Sequence, residues 1–154
     1  MTKGLMGEVG PSPAFGEGLV FATQEYATLM AINPANGQIV WQDDEYLSEV
    51  SSPVAAGGLV FVATSYGVLA CFDAKTGEKL WEHDEGVGYY SSPVVVNNQL
   101  FLFDLEGRLQ VFALEREMKI VAESKLGAKI TSTPAFADGR MYVRAGSVIY
   151  CIGK

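Results

Sequence analysis

Residues 71–81 read CFDAKTGEKLW, and residues 31–41 read AINPANGQIVW. Both stretches hold an Asp or Asn, a glycine and a tryptophan at one spacing, so Trp41 and Trp81 lie 40 residues apart. Ser-Pro or Thr-Pro pairs recur along the chain at nearly the same offset. They are Ser12-Pro13, Ser52-Pro53, Ser92-Pro93 and Thr133-Pro134. Because many independent positions share this offset, the chain consists of four tandem repeats of about 40 residues.

Each repeat predicts short β-strands joined by tight turns. The Ser-Pro pair precedes the first strand, where a proline is tolerated. A Gly-Gly or Asn-Asn turn then leads into a second strand such as residues 59–62, whose successive residues are all apolar, which predicts burial of both faces. We therefore expect an all-β fold, a partial β-propeller of about four four-stranded antiparallel blades, with the last blade lacking its outer strand.

The repeat divides one domain, residues 1–154, into four predicted blades. Their approximate ranges are 10–46, 50–86, 90–127 and 131–154. The two cysteines occupy matching positions, Cys71 on the third strand of the second blade and Cys151 on that of the fourth. Two blades apart, they are too distant for a disulfide, so we expect both to be small buried side chains.

The spacing around the two tryptophans resembles the tryptophan-docking motif of the PQQ-like (quinoprotein-type) β-propeller repeat family, which includes BamB-like scaffolds. The positions that carry the resemblance are Asn33, Gly37, Trp41, Asp73, Gly77 and Trp81. The resemblance implies that each indole packs between neighbouring blades and that the glycine permits the turn before it. The third repeat departs from the motif. Val121 stands at the position of the tryptophan, and Glu117 stands at the position of the glycine.

The resemblance also implies a ring of about seven or eight blades, more than this chain supplies. We therefore expect the chain to be the C-terminal half of a larger propeller. Two copies could complete the ring as a homodimer, or residues 2–8 could form the missing outer strand of the last blade. The remaining alternative is a piece cut from a longer chain.

The overall charge and hydropathy exclude several classes of partner. The net charge of −7 disfavours a nucleic acid, because its phosphates would be repelled. No apolar run is long enough to span a membrane, and residues 1–6 do not form a signal peptide. The family resemblance implies an extracytoplasmic, mainly periplasmic location.

The sequence presents no recognisable catalytic, metal or cofactor site. His83 is the only histidine, and we expect it in a surface loop. The acidic runs 43–45 and 83–85 could form a calcium site, but solvated loops are the favoured interpretation. We therefore expect a protein that is not an enzyme and binds no cofactor.

Five of the seven tyrosines fall in loops that share one face of a propeller, beside Glu25, Glu45 and Glu49. Tyrosine is enriched in binding hot spots because its ring buries a large area at small entropic cost. The alternative is that these rings have a structural role, in which they fill the central opening of the propeller and support the loops. The candidate partner surface consists of Tyr26, Tyr46, Tyr66, Tyr89, Tyr90, Glu45 and Glu49.

These observations favour a non-catalytic scaffold for protein–protein interaction with an unidentified protein partner, and the family resemblance implies a role in assembly of the cell envelope. Because a fold does not by itself imply a function, two alternatives remain. One is a fragment of a PQQ-dependent dehydrogenase, and the other is a carbohydrate or polymer sensor that uses the tyrosine face.

Overall fold

The computed structural model describes residues 3–6 and 9–153. Within them the chain forms fifteen strands and no helix. The first sheet contains β1 (Ala14–Gly16), β2 (Leu19–Gln24), β3 (Thr28–Ile32) and β4 (Ile39–Asp43). The second contains β5 (Val54–Ala56), β6 (Leu59–Ala63), β7 (Val68–Asp73) and β8 (Lys79–Asp84). The third contains β9 (Val94–Val96), β10 (Gln99–Phe103), β11 (Arg108–Ala113) and β12 (Ile120–Lys125). The fourth contains β13 (Ala135–Ala137), β14 (Arg140–Ala145) and β15 (Val148–Ile152).

Every sheet is an antiparallel meander in which consecutive strands pair with one another. The predicted fold class is therefore confirmed: four blades of a partial propeller, the last with three strands. Each of the ranges 10–46, 50–86, 90–127 and 131–154 contains one sheet. No helix in residues 3–6 or 9–153 is long and apolar enough to cross a membrane.

Tight turns between the first and second strands set the hairpin register. Asn97 and Asn98 have φ angles of 48° and 62°, and Gly57 and Gly58 have φ angles of 60° and 79°. Two successive residues with positive φ match the twist of antiparallel strands, which explains why Asn and Gly stand at these positions. The second strands that follow are largely buried, and every residue of β6 is buried.

The Ser-Pro pairs connect consecutive blades. The backbone N–H of Ser12 donates a hydrogen bond to the Ser52 hydroxyl at 2.9 Å, and that of Ser52 donates to the Ser92 hydroxyl at 2.9 Å. The Ser92 N–H in turn donates to the Thr133 hydroxyl at 3.0 Å. A side-chain hydroxyl accepts the bond at each step, so the serine and threonine of the pair hold one blade to the next.

The two tryptophans lie between neighbouring blades. Trp41 donates its indole N–H to the carbonyl of Ala74 in the second blade at 2.9 Å, and its ring stacks on Phe72. A Cβ added at Gly77 would lie 2.6 Å from the Trp41 ring, so only glycine leaves room for the indole there. Trp81 donates to the carbonyl of Glu115 in the third blade at 3.3 Å.

The third repeat has one more residue between its third and fourth strands. Phe72 pairs with Lys79, but its counterpart Phe112 pairs with Ile120, one residue further on. Ala122 therefore takes the place of Trp81. The prediction that Val121 occupies the tryptophan position is wrong, because aligning the repeats at a constant offset of 40 residues misses the extra residue.

The cysteines differ in environment. Cys71 is fully buried, and this burial raises the pKa of its thiol to about 12, so it is unreactive at neutral pH. Cys151 is exposed, so the prediction that it is buried is wrong. The face of β15 that carries Cys151 has no further blade over it within the described residues.

The turn before Trp81 depends on the carboxylate of Asp73. This carboxylate accepts hydrogen bonds from the backbone N–H groups of Lys75 and Thr76, both at 3.0 Å, and pairs with Arg116 at 2.5 Å. These contacts, the Arg116 bond first, hold the pKa of Asp73 well below its ordinary value of 3.8. Because the native pKa is depressed, the stabilisation is complete above about pH 4 and is lost as the pH falls through the native pKa.

Replacing Asp73 with Asn should lower the free energy of unfolding by about 1 kcal/mol at neutral pH, where the charge-assisted bond to the exposed Arg116 is lost. The turn itself should persist, because Asn33 accepts the equivalent backbone bond from Ala35 in the first blade. Urea unfolding of both proteins at neutral pH and near pH 2 measures the effect. The difference should shrink at the lower pH, and a difference independent of pH would contradict this account of Asp73.

Candidate functional site

The predicted tyrosine surface divides into buried and exposed rings. Tyr89 has no exposed surface and Tyr46 is 5% exposed, whereas Tyr26 is 87% exposed and Tyr66 is 50% exposed. Tyr90 is half-buried. Tyr46 and Tyr89 therefore cannot supply their rings to a partner in this conformation, and the prediction is wrong for these two residues. Tyr26 and Tyr66 present their rings to solvent.

Tyr89 belongs to the interface between the second and third blades. Its hydroxyl donates a hydrogen bond to the Gln110 side chain at 3.3 Å, and its backbone N–H donates to the carbonyl of Thr64 at 3.0 Å. Burial raises the pKa of its phenol, so it stays a neutral donor. Gly88 brings the chain close enough for this packing, because a Cβ there would lie 1.9 Å from the carbonyl oxygen of Ser65.

Tyr46 links the first two blades through charged groups. Its hydroxyl donates to the Glu82 carboxylate, and the Lys79 ammonium donates to the same hydroxyl at 2.6 Å. Its ring packs edge-on against Phe72, with the ring centres 6.1 Å apart. Burial and then the bond to Glu82 raise the pKa of Tyr46. These contacts give Tyr46 a structural role.

The exposed tyrosines line an open cleft on the face of the first two blades, which we call the tyrosine groove. Its volume is about 540 Å³, within the range of ligand pockets. Tyr26 lies in the β2–β3 turn, and Tyr66 lies in the β6–β7 turn. The groove is lined by Glu25, Tyr26, Ala27, Asp44, Glu45, Leu47 and Tyr66. It therefore combines two aromatic rings with three carboxylates, and none of these lining residues is a Lys or Arg.

The groove holds one ring in place and concentrates negative charge. The Tyr66 hydroxyl donates to the backbone carbonyl of Glu45 at 3.0 Å, which fixes its ring relative to the β4–β5 link. Partial burial first, and then the negative charge of Glu49, raise the pKa of Glu25. Glu49 is exposed and acts on the groove through its charge. A cation close to Glu25 and Glu49 would relieve their mutual repulsion, so the pair favours a positively charged group nearby.

His83 lies in β8, so the prediction of a surface loop is wrong. Its Nε2 is 2.7 Å from the Glu85 carboxylate and 3.2 Å from the buried Gln110 amide. Arg108 also donates to Glu85, at 2.6 Å. Burial alone would raise the pKa of Glu85. The hydrogen bonds with Gln110 and His83 and the charge of Arg108 outweigh it and hold this pKa below its ordinary value. The cluster joins the second and third blades, and no group of three or more His, Cys, Asp or Glu side chains in the described ranges could hold a metal ion.

A family model described as outer membrane protein assembly factor BamB matches residues 2–116. The chain belongs to this family. No curated protein sequence matches it significantly.

Solved structures share the propeller fold with this BamB-family chain. BamB from Moraxella catarrhalis superimposes with a TM-score of 0.78 at 17% identity, covering 92% of this chain and 41% of that one. The quinohemoprotein alcohol dehydrogenase ADHIIG from Pseudomonas putida HK5 gives a TM-score of 0.74 at 15% identity, covering 88% of this chain and 28% of that one. The computationally designed Ika4 protein gives 0.72 at 16% identity, covering 96% of this chain and 99% of that one.

The chain spans about two fifths of the Moraxella protein and under a third of the dehydrogenase. At these identities the likeness shows the fold alone, because one propeller architecture serves both a named assembly factor and a dehydrogenase.

Sequence reasoning placed Glu25 beside the tyrosines but missed Asp44 as part of the groove. Asp44 belongs to the run 43–45, which we considered only as a calcium site or a solvated loop. Glu25 directly precedes Tyr26 in the same turn, and this adjacency is the signal that places it on the tyrosine face. Both carboxylates reach the groove because the β2–β3 turn and the β4–β5 link lie side by side, where the Glu25 N–H donates to the Ser48 carbonyl at 3.1 Å.

Proposed function

We propose that this chain is a non-catalytic β-propeller scaffold that binds a protein partner through the tyrosine groove. The observation that carries the proposal is the pair of solvent-exposed rings, Tyr26 and Tyr66, which both line one cleft. Tyrosine is enriched among the residues that carry binding energy at protein interfaces, because its ring buries a large area at small entropic cost. Membership of the BamB family supports a role in interaction rather than in chemistry.

The charge of the groove selects the class of partner segment. Glu25, Asp44 and Glu45 line it, and the whole chain carries a net charge of −7. A segment with Arg or Lys side chains would pair with these carboxylates and could stack on the tyrosine faces. We therefore propose that the partner presents an extended cationic segment.

An arginine–glycine repeat peptide with a fluorescent label tests this proposal, with a glutamate–glycine peptide of equal length as the control. Fluorescence anisotropy should show saturable binding of the cationic peptide and none of the anionic one. The dissociation constant should rise about tenfold when salt is raised to about 1 M, because salt screens exposed charges. Equal binding of both peptides, or no binding of either, would contradict a cationic partner.

We further propose an extracytoplasmic location, from the family resemblance. A second copy of the chain that completes the ring also stays a proposal. It is supported by the apolar outer face of β15, where Ile149 is 71% exposed. The BamB family name points to cell-envelope assembly as the setting for the partner.

The second candidate function is a fragment of a PQQ-dependent dehydrogenase, favoured by the structural match to ADHIIG. Incubation with PQQ and Ca²⁺, followed by dye-linked oxidation of alcohols or glucose, distinguishes the two functions. The scaffold proposal predicts dye reduction equal to that of a protein-free blank. Turnover above the blank would overturn the non-catalytic interpretation.

A further inference from the structure

A tryptophan side chain fills the space between neighbouring blades at two interfaces of the chain. Trp41 lies between Phe21 and Phe72, with ring centres 5.8 Å and 6.1 Å away. At the next interface, Trp81 lies between Phe61 and Phe112, with ring centres 5.7 Å and 6.0 Å away. In both cases the indole N–H donates to a backbone carbonyl of the following blade. A flat indole therefore fills one standard position at each of these two interfaces.

The interface between the third and fourth blades lacks this indole. Strand pairing places Phe101, Val111 and Ala122 in one row, as it places Phe61, Cys71 and Trp81 in the second blade. Directly paired residues point to the same face of a sheet, so Ala122 stands where the other blades carry tryptophan. Ala122 is exposed rather than covered by the fourth blade.

At the first two interfaces, the following blade supplies one of the two flanking rings, Phe72 or Phe112. The fourth blade supplies a residue at the corresponding position. Met141 pairs with Ile152, as Val60 pairs with Phe72 in the second blade. The two walls that would face an indole at this interface are therefore Phe101 and Ile152.

Both of these walls line a cleft between the third and fourth blades. Its volume is about 590 Å³, large enough for a small ligand. Its apolar lining includes Val96, Phe101, Leu109, Phe136, Met141 and Ile152. Phe136 of the fourth blade packs on Phe101 of the third with ring centres 4.9 Å apart, so an aromatic pair that spans the two blades bounds the cleft on one side. Side chains that face a void lack partner atoms on one side, so a ligand that fills it gains dispersion energy.

The rim of the cleft is polar. Asn97, Asp138 and Arg140 lie among its lining residues. The side-chain oxygens of Asn97 and Asp138 can accept a hydrogen bond from a ring N–H, the role that backbone carbonyls play for Trp41 and Trp81. The cleft thus offers an aromatic wall, an aliphatic wall and hydrogen-bond acceptors at its edge.

We propose that this interblade cleft binds a free, indole-sized aromatic molecule, whose ring takes the position that tryptophan occupies at the other two interfaces. The apolar walls bury the ring, and an N–H on the ring donates to the polar rim. The proposal is independent of the tyrosine groove, which lies on the first two blades.

A fluorine NMR titration of fluoroindole with the full chain tests the proposal. We expect saturable binding with a dissociation constant on the order of 1 mM or tighter, as for other small ligands. Ala122→Trp should weaken binding at least about tenfold, because the chain's own indole then fills the cleft. Val121→Trp adds the same ring to the opposite face of β12 and should bind as the parent does.

Three results would overturn the proposal: no saturable binding to the parent chain, undiminished binding to a folded Ala122→Trp variant, or equal loss in both variants. If Ala122→Trp does not fold, intermolecular nuclear Overhauser effects on the parent chain decide the matter. Cross-peaks from the ligand ring to the methyl groups of Ile152 and Met141 are expected. Cross-peaks only to residues outside the cleft would contradict it.

Discussion

Replacing Trp41 with Ala should lower the free energy of unfolding by about 3–5 kcal/mol, the usual cost of removing a large buried aromatic side chain. The indole lies between Phe21 and Phe72, and its N–H satisfies the carbonyl of Ala74. Truncation therefore removes contacts from two blades and leaves a backbone acceptor without its donor. Because small domains are stable by only about 5–15 kcal/mol, this loss should be visible in urea or thermal unfolding.

The matched control lies on the same strand. Val40 precedes Trp41 and is 49% exposed, so Val40→Ala should change the free energy of unfolding by less than about 0.5 kcal/mol. If Trp41→Ala were as mild as Val40→Ala, the blades would not depend on the indole, and the interblade role of Trp41 would be wrong.

The second large effect concerns Tyr89. Tyr89→Ala should cost about 3–5 kcal/mol of stability, because the ring is fully buried between the second and third blades. Tyr89→Phe keeps the ring and loses only the hydroxyl bond to Gln110, so it should cost about 1 kcal/mol. Chemical denaturation of the two variants beside the parent measures both values.

The comparison between the two Tyr89 variants separates packing from hydrogen bonding. Similar losses in both would mean that the hydroxyl, rather than the ring, carries the stabilisation. A negligible loss in Tyr89→Ala would mean that the ring is not buried, and Tyr89 would return to the candidate partner surface.

The repeated sequence predicts most of the fold because each repeat contains its own strand and turn signals. The Asn97-Asn98 and Gly57-Gly58 pairs specify hairpin turns from local chemistry alone, and the Ser-Pro pairs fall before each first strand. Such features depend on neighbours within a few residues, which a sequence displays directly.

The extra residue in the third repeat is not visible in the same way. A bulge between the third and fourth strands occurs in all three complete blades, but only strand pairing shows that Ala122 rather than Val121 replaces tryptophan. A one-residue slip turns every side chain to the other face, so a constant offset misassigns the position.

The candidate site was predicted only in part for a similar reason. Loop position places Tyr26, Tyr46, Tyr66 and Tyr89 on one side of the blades, but it does not say which way each ring points. Gly88 allows the chain to approach Ser65 closely, and Tyr89 then lies in the core. Tyr26 lies at the centre of the three-residue turn between Gln24 and Thr28 with a φ of 61°, and its ring is exposed to solvent. Burial of a loop residue depends on contacts between blades, which the repeat does not encode locally.

The most direct test of the proposed binding surface is one double variant, Tyr26→Ala with Tyr66→Ala, measured for both affinity and melting temperature. We expect the affinity for the cationic arginine–glycine peptide to fall at least about tenfold, because two aromatic contacts are lost. We also expect a melting temperature nearly that of the parent, because both rings are exposed. Unchanged affinity, or a large fall in melting temperature, would contradict the tyrosine groove as the binding surface.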